Sequence, residues 1–253
     1  MMYEIYFSPT GGTKKAADMI CAAWTEECKE IDLTNRALKP EEIVFQPEDI
    51  CVAAVPSFGG RVPQAAVSLL KRMKGNGTAA ILTAVYGNRE FDDTLFELKD
   101  VMKGAGFRCI AAVAAVAEHS IARQIASGRP DEEDREELEE FGRQIRQKLE
   151  SGEGGNEVEV PGNSPYRQYN GVPIKPAAGD ACIRCGICAE LCPVGAIPAE
   201  DPSKTDAEIC ISCMRCIAVC PQHARSNNEQ MVAGVAEKLQ KNCGERKKNK
   251  IFL

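Results

Sequence analysis

Eight cysteines fall between Cys182 and Cys220, a window of 39 residues, in two blocks that repeat at a period of 28. They are Cys182-Ile-Arg-Cys185-Gly-Ile-Cys188-Ala-Glu-Leu-Cys192-Pro193 and Cys210-Ile-Ser-Cys213-Met-Arg-Cys216-Ile-Ala-Val-Cys220-Pro221, each reading C-x2-C-x2-C-x3-C-P. A disulfide framework belongs to small secreted chains. This chain of 253 residues opens Met1-Met2-Tyr3-Glu4-Ile5-Tyr6, with no basic leader and no long apolar segment. The longest apolar run, Cys109 to Ala117, is well short of the roughly 20 residues a membrane span needs. The expectation is a soluble, cytoplasmic protein whose thiols are reduced or metal-bound. The scattered Cys21, Cys28, Cys51, Cys109 and Cys243 read as small core or tail residues.

The spacing of the two blocks suits iron–sulfur cubes. Two-residue gaps let a tight turn place three thiolates around one face of a cube, and the fourth, followed by proline, starts a separate element. The competing reading is a pair of zinc sites, since Cys-x2-Cys pairs also bind zinc. Zinc ribbons, however, separate their pairs by a longer loop and rarely use three Cys at two-residue gaps before a Cys-Pro. Over residues 180–226 the chain resembles bacterial two-[4Fe–4S] ferredoxins, with all eight ligand positions filled. That resemblance implies a crossed pairing: cluster I on Cys182, Cys185, Cys188 and Cys220, and cluster II on Cys210, Cys213, Cys216 and Cys192. Met214-Arg215 stand where the first block has Gly186-Ile187. They read either as a device raising the potential of cluster II or as a tolerated surface pair.

The first 150 residues alternate apolar runs with amphipathic stretches, the order of a parallel α/β domain. Strands are predicted at Tyr3–Phe7, Glu30–Leu33, Ile50–Val55, Ala79–Val85 and Arg108–Ala117, and helices near Thr13–Cys28, Pro63–Met73, Phe91–Lys103 and Asp131–Glu150. The last three strands are continuous apolar runs, as strands covered on both faces must be. Five such strands fit a doubly wound sheet. Residues 151–179, rich in Gly, Pro, Asn and Ser and including Gly154, read as a linker whose Tyr166 and Tyr169 could lie on a neighbouring surface. A small α+β cysteine domain at 180–228 and a C-terminal helix with a basic tail at 229–253 complete the chain.

After the first strand comes Ser8-Pro9-Thr10-Gly11-Gly12-Thr13, a turn into a helix that offers backbone N–H groups and hydroxyls to an anion. It is neither a nucleoside triphosphate loop nor a dinucleotide fingerprint, since neither Gly-Lys-Ser/Thr nor G-x-G-x-x-G is present. Two further loops, Pro56-Ser57-Phe58-Gly59-Gly60-Arg61-Val62-Pro63 and Tyr86-Gly87-Asn88-Arg89-Glu90-Phe91-Asp92-Asp93, follow the third and fourth strands, at the carboxyl ends where such sheets bind ligands. Together these loops resemble those of flavodoxins. The resemblance implies that Ser8, Thr10, Gly11, Gly12 and Thr13 hold the phosphate of FMN, and that Pro56, Ser57, Phe58, Gly59 and Gly60, with Tyr86, Gly87, Asn88 and Arg89, surround its ring. Tyr86 is the firmer stacking partner of the two aromatics, because the tryptophan frequent in flavodoxins is missing from the Phe58 loop, and Trp24 reads as core.

Taken whole, the chain resembles the flavodoxin–ferredoxin fusion proteins of anaerobic bacteria. That implies FMN and two [4Fe–4S] clusters in one polypeptide that exchanges electrons with redox partners: a ferredoxin, a flavodoxin or an oxidoreductase. The alternative is a cluster-wired FMN reductase of a small-molecule acceptor. Either reading needs a cluster near the flavin, within the chain or across a homodimer. Arg61 and Arg89 either flank the proposed ring site, where a cation would raise the second flavin reduction step, or point to solvent. His119 is a candidate proton donor or a structural residue, and His223 a loop residue beside cluster I. The net charge of −6 is local, since Asp131 to Glu140 alone carries −7. Followed by Arg143, Arg146 and Lys148, those acids read as a solvated helix face. The tail from Lys241 to Lys250, with five basic residues and one acid, is too short to argue nucleic acid binding and reads as a loose terminus.

Overall fold

The computed structural model describes residues 1–24, 27–152 and 155–253. The sheet carries β1 (Met2–Tyr6), β2 (Cys28–Asp32), β3 (Ile50–Pro56), β4 (Ala79–Tyr86), β5 (Arg108–Val116) and, from the far end of the chain, β8 (Lys250–Phe252). Their order is β2-β1-β3-β4-β5-β8. The first five are mutually parallel, and β8 adds antiparallel to β5 through Ala112↔Phe252, Val113↔Ile251 and Ala114↔Lys250. The flavodoxin-like doubly wound order predicted from the sequence is thus present, with a sixth strand.

Helices α1 (Gly12–Cys21) and α4 (Glu132–Glu150) cover one face, and α2 (Gln64–Leu70) and α3 (Thr94–Gly104) the other. The alternation along β1 shows the sorting: Tyr3, Ile5 and Phe7 join the α2/α3 core, while Met2 and Tyr6 join the α1/α4 core. Glu4, between them, is therefore forced under α1. It is 2% exposed, with one carboxylate oxygen unbonded among the described residues.

The helix predicted over Thr13–Cys28 is shorter. It ends at Cys21, Cys28 starts β2, and its predicted passage through Thr25 and Glu26 lies outside the described residues, as does Gly154 of the linker. The strand β2 buries only Ile31. An edge strand this polar leaves no apolar run to announce it.

The tail is not loose. Asn249 is buried, accepts from Val116 N, and donates to Asp134 and Glu137. Arg129 pairs with Asp134, both nearly inaccessible, and donates to the Lys247 carbonyl. Arg246 reaches Asp131 and Glu133. The acidic first turn of α4, predicted to be a solvated face, is where the basic tail lands.

Residues 177–228 carry β6 (Ala177–Ala178), α5 (Ile187–Glu190), α6 (Arg215–Ala218) and β7 (Arg225–Ser226), with β6 antiparallel to β7. Helix α7 (Glu229–Cys243) then leads back to β8. No helix among the described residues is long and apolar enough to cross a membrane.

Candidate functional site

A cleft of about 470 Å³ opens at the carboxyl ends of β1, β3 and β4, between the loops that follow them. That volume lies within the range of small-molecule sites. Strands β2 and β3 flank β1 on opposite sides, so the loops after β1 and β3 diverge and leave this crevice.

Of the residues singled out from the sequence, Thr10, Gly12, Thr13, Pro56, Ser57, Phe58, Gly59, Tyr86, Gly87 and Arg89 line the cleft. Gly11 caps α1 with φ +92, a left-handed conformation that glycine adopts without strain, and so turns the strand into the helix with the α1 N-terminus facing the cleft. The Ser8 hydroxyl accepts from Lys14 N and shapes the loop from behind. Gly60 lies behind the cleft against Asp92. The side chain of Asn88 is turned to the tail, donating to the carbonyls of Cys243 and Glu245 and accepting from Lys247 N.

The ring of Tyr86 is 3% exposed and edge-on to Phe91. It belongs to the wall, with its hydroxyl buried and unpartnered among the described residues and its pKa raised to about 12 by burial. Phe58 is the more open aromatic. Across from it stands Tyr169 of the linker, packed so closely on Gly59 that a Cβ there would lie 2.1 Å from the tyrosine ring.

The two arginines part company. Arg61 gives Nε and Nη2 to Glu97 at 2.7 Å and Nη1 to the Arg167 carbonyl, with its guanidinium 4.7 Å from the centre of the Tyr166 ring. This cation clamps the linker and does not face the cleft, against the expectation of a ring contact. Arg89 remains at the cleft, paired with Asp92. His119 also lines it, with its ring against Gly87 and Nδ1 accepting from the amides of Ile121 and Ala122. Burial lowers its pKa, and with Nδ1 engaged by these two amides it holds its loop.

From Val158 onward the linker is docked at several points. Val158 N bonds to the Cys109 carbonyl and its side chain is buried. Asp93 accepts from Asn163 and from Arg167 N. Tyr166 stacks edgewise on Phe96. Val172, Pro173 and Ile174 then pass over the cleft, and Met231, Gly234, Val235 and Leu239 of α7 complete its roof. Only the linker tyrosines hinted at this in the sequence. The α7 contribution has no local signal, because a helix that roofs a cleft carries the same apolar stripe as one that packs on a core.

The cysteines gather into two groups. Cys182, Cys185, Cys188 and Cys220 ring one small cavity, and Cys192, Cys210, Cys213 and Cys216 ring another. Among the described residues no three Cys, His, Asp or Glu converge as a single ion requires. Cys185 is exposed, whereas Cys213 is buried and lines both the second cavity and the large cleft. Met214 is buried and, at φ +64, adopts the left-handed turn that Gly186 adopts at φ +81 in the first block. Arg215 donates to the Ser8 carbonyl of the first loop and keeps its Nε buried and unpartnered among the described residues. The Met214-Arg215 pair is thus an internal contact, not a tolerated surface pair.

Residues 181–224 match the family profile of the 4Fe-4S dicluster domain. The chain therefore combines a flavodoxin-like sheet with a region similar to that domain. A search of curated proteins found none that matches. Among solved structures, oxidised flavodoxin 2 from Bacillus cereus is similar at 16% identity and TM-score 0.45, over 58% of this chain and 98% of that one. Two-electron reduced Megasphaera elsdenii flavodoxin follows at 17% and 0.40 (58% and 99%), and an NADH:FMN oxidoreductase at 15% and 0.41 (58% and 88%). With TM-scores below 0.5, the topology rests on this chain's own strand order.

Proposed function

We propose that the chain is an electron-transfer iron–sulfur flavoprotein that passes electrons between two [4Fe–4S] clusters and FMN within one polypeptide. The observation that carries this reading is Cys213, which lines both a four-cysteine cavity and the flavin cleft. In this reading Cys182, Cys185, Cys188 and Cys220 hold cluster I, near the surface through Cys185, and Cys210, Cys213, Cys216 and Cys192 hold cluster II beside the cleft. The loop from Ser8 to Thr13 and the α1 N-terminus receive the FMN phosphate, and the Phe58 and Tyr86 loops border its ring. FMN, when bound, takes up and releases electrons in pairs or singly, and the clusters handle them singly. The chain's own residues orient the ring, exclude water with the Val172–Ile174 and α7 roof, and fix cluster II against the first loop through Arg215.

The same roof favours a specific division of partners. With linker and α7 residues lining the cleft, a redox protein is better placed to meet the cluster I end, and a small molecule is the better-fitting acceptor in the cleft. The domain division proposed is 1–150, 151–179, 180–228 and 229–253, with the last segment returning to the first. Anaerobic spectroelectrochemistry of the full-length chain, with iron, sulfide and flavin analysis, tests the reading. One FMN and two clusters per chain are expected. A preparation holding zinc without sulfide overturns it.

A further inference from the structure

The 28-residue repeat places Ala224 opposite Ala196 and Arg225 opposite Ile197. The two alanines behave alike: Ala196 N donates to Cys192 Sγ and Ala224 N to Cys220 Sγ, both at 3.3 Å. The next position differs. Ile197 is a buried apolar residue on the cavity ringed by Cys192, Cys210, Cys213 and Cys216, while Arg225 lies on the cavity ringed by Cys182, Cys185, Cys188 and Cys220. Arg225 is 2% exposed. Its Nε donates to Cys188 Sγ at 3.2 Å, Nη1 to the Pro176 carbonyl and Thr205 Oγ1, and Nη2 to the carbonyls of Pro202 and Lys204.

All five guanidinium protons are therefore accepted, by three carbonyls, a hydroxyl and a sulfur, and none of these partners is an acid. A permanent cation buried this completely is costly unless a buried anion balances it. The one partner that can carry that charge is Cys188 as a thiolate ligand. A thiolate-bound cluster is anionic, and each reduction adds one electron to it without changing the protonation of an arginine. Hydrogen bonds and positive charge at ligand sulfurs favour the reduced, more negative form.

We propose that Arg225 is the buried counter-ion of cluster I and holds its midpoint potential above that of cluster II, where the repeat puts Ile197. Arg225 is a positioning residue that acts through Cys188. This rests on the cluster reading of the two cysteine groups. Its effect is to make cluster I, the outer one, the place where a single electron rests.

The test is an EPR-monitored redox titration of the cluster-loaded full-length chain and of Arg225→Gln. In the wild type two cluster midpoints are expected. In Arg225→Gln the higher falls toward the lower, which stays in place. Unchanged midpoints at full iron and sulfide content overturn the proposal, as does a shift confined to the lower one. Should Arg225→Gln fail to hold its clusters, electron–nuclear double resonance on the reduced wild-type chain with isotopically labelled arginine decides. Coupling of a guanidinium nitrogen to the cluster reduced first that persists in Arg184→Gln, whose arginine lines the same cavity, supports the proposal, and its absence overturns it. A wild-type chain without iron and sulfide would instead sink the cluster reading itself.

Discussion

In the sheet region Ile5, Phe7, Val52, Leu82 and Val113 are fully buried within two large apolar cores, one on each face. The corresponding cluster in the cysteine region is Cys188, Ala189, Cys192, Ala196 and Ile197, with Val194, Cys210 and Cys216 against it, so half of its members are proposed ligands. The first region is held by removing hydrocarbon from water. The second has too little hydrocarbon for that and needs bonds to metal in its place.

The largest expected effect breaks the comparison at this point. Stripping iron with a chelator under oxidising conditions should unfold residues 180–228 while the sheet persists, read as hydrogen exchange that collapses in the cysteine region and stays protected in β3, β4 and β5. Equal protection in both regions before and after would contradict the contrast. Next is the buried pair that ties the tail to the sheet. Arg129→Ala removes the two-pronged partner of Asp134 and leaves it Asn249 and the more distant Arg246, so it should cost about 3 kcal/mol in urea unfolding, the low end for a broken buried pair, with exchange at β8 rising first. Gly59→Ala, at φ +61 and against Tyr169, should displace the tyrosine and cost about 1–3 kcal/mol, seen as weaker FMN retention and a more water-exposed flavin.

A smaller effect lies inside the sheet region. Burial first, and then Asp18, push the Glu4 carboxyl up from 4.5 to about 8. Between those values the folded chain binds more protons at this site than the unfolded chain, so stability falls as pH rises through the window, by at most roughly 1.4 kcal/mol per pH unit. Urea midpoints should decline from pH 5 to pH 8 and decline less in Glu4→Gln; identical slopes would remove the assignment. Smallest is Arg89→Ala. Arg89 shares its charge with Asp92, so the FMN midpoint should move down only slightly, and an unmoved midpoint takes Arg89 out of the ring's electrostatics.

The sheet was legible because its central strands are unbroken apolar runs, and its order could be argued from the loop after β1. The cysteine groups were legible because ligand spacing is written in the chain itself. What stayed hidden was whatever depends on distant partners. Strand β8 has three residues, too few to show an alternation, and its basic surroundings resemble a free tail until Asp131 and Asp134 are known to be near. Asn88 is an ordinary turn residue until the tail supplies its acceptors. Arg61 looked like a ring contact because Glu97, its partner on α3, is separated from it by 36 positions. Arg225 carries no motif. Only superposing the repeat and finding Ile197 opposite it sets it apart.

The return of β8 to the sheet has one more consequence. The cysteine region leaves the α/β region at a docked linker and re-enters it through α7 and a sixth strand, which makes it an insertion moored at two ends. A body moored at one end can swing between a loading and a delivering position. Moored at two, it is left only the motions that both crossings allow together, a far narrower set than a single tether would leave.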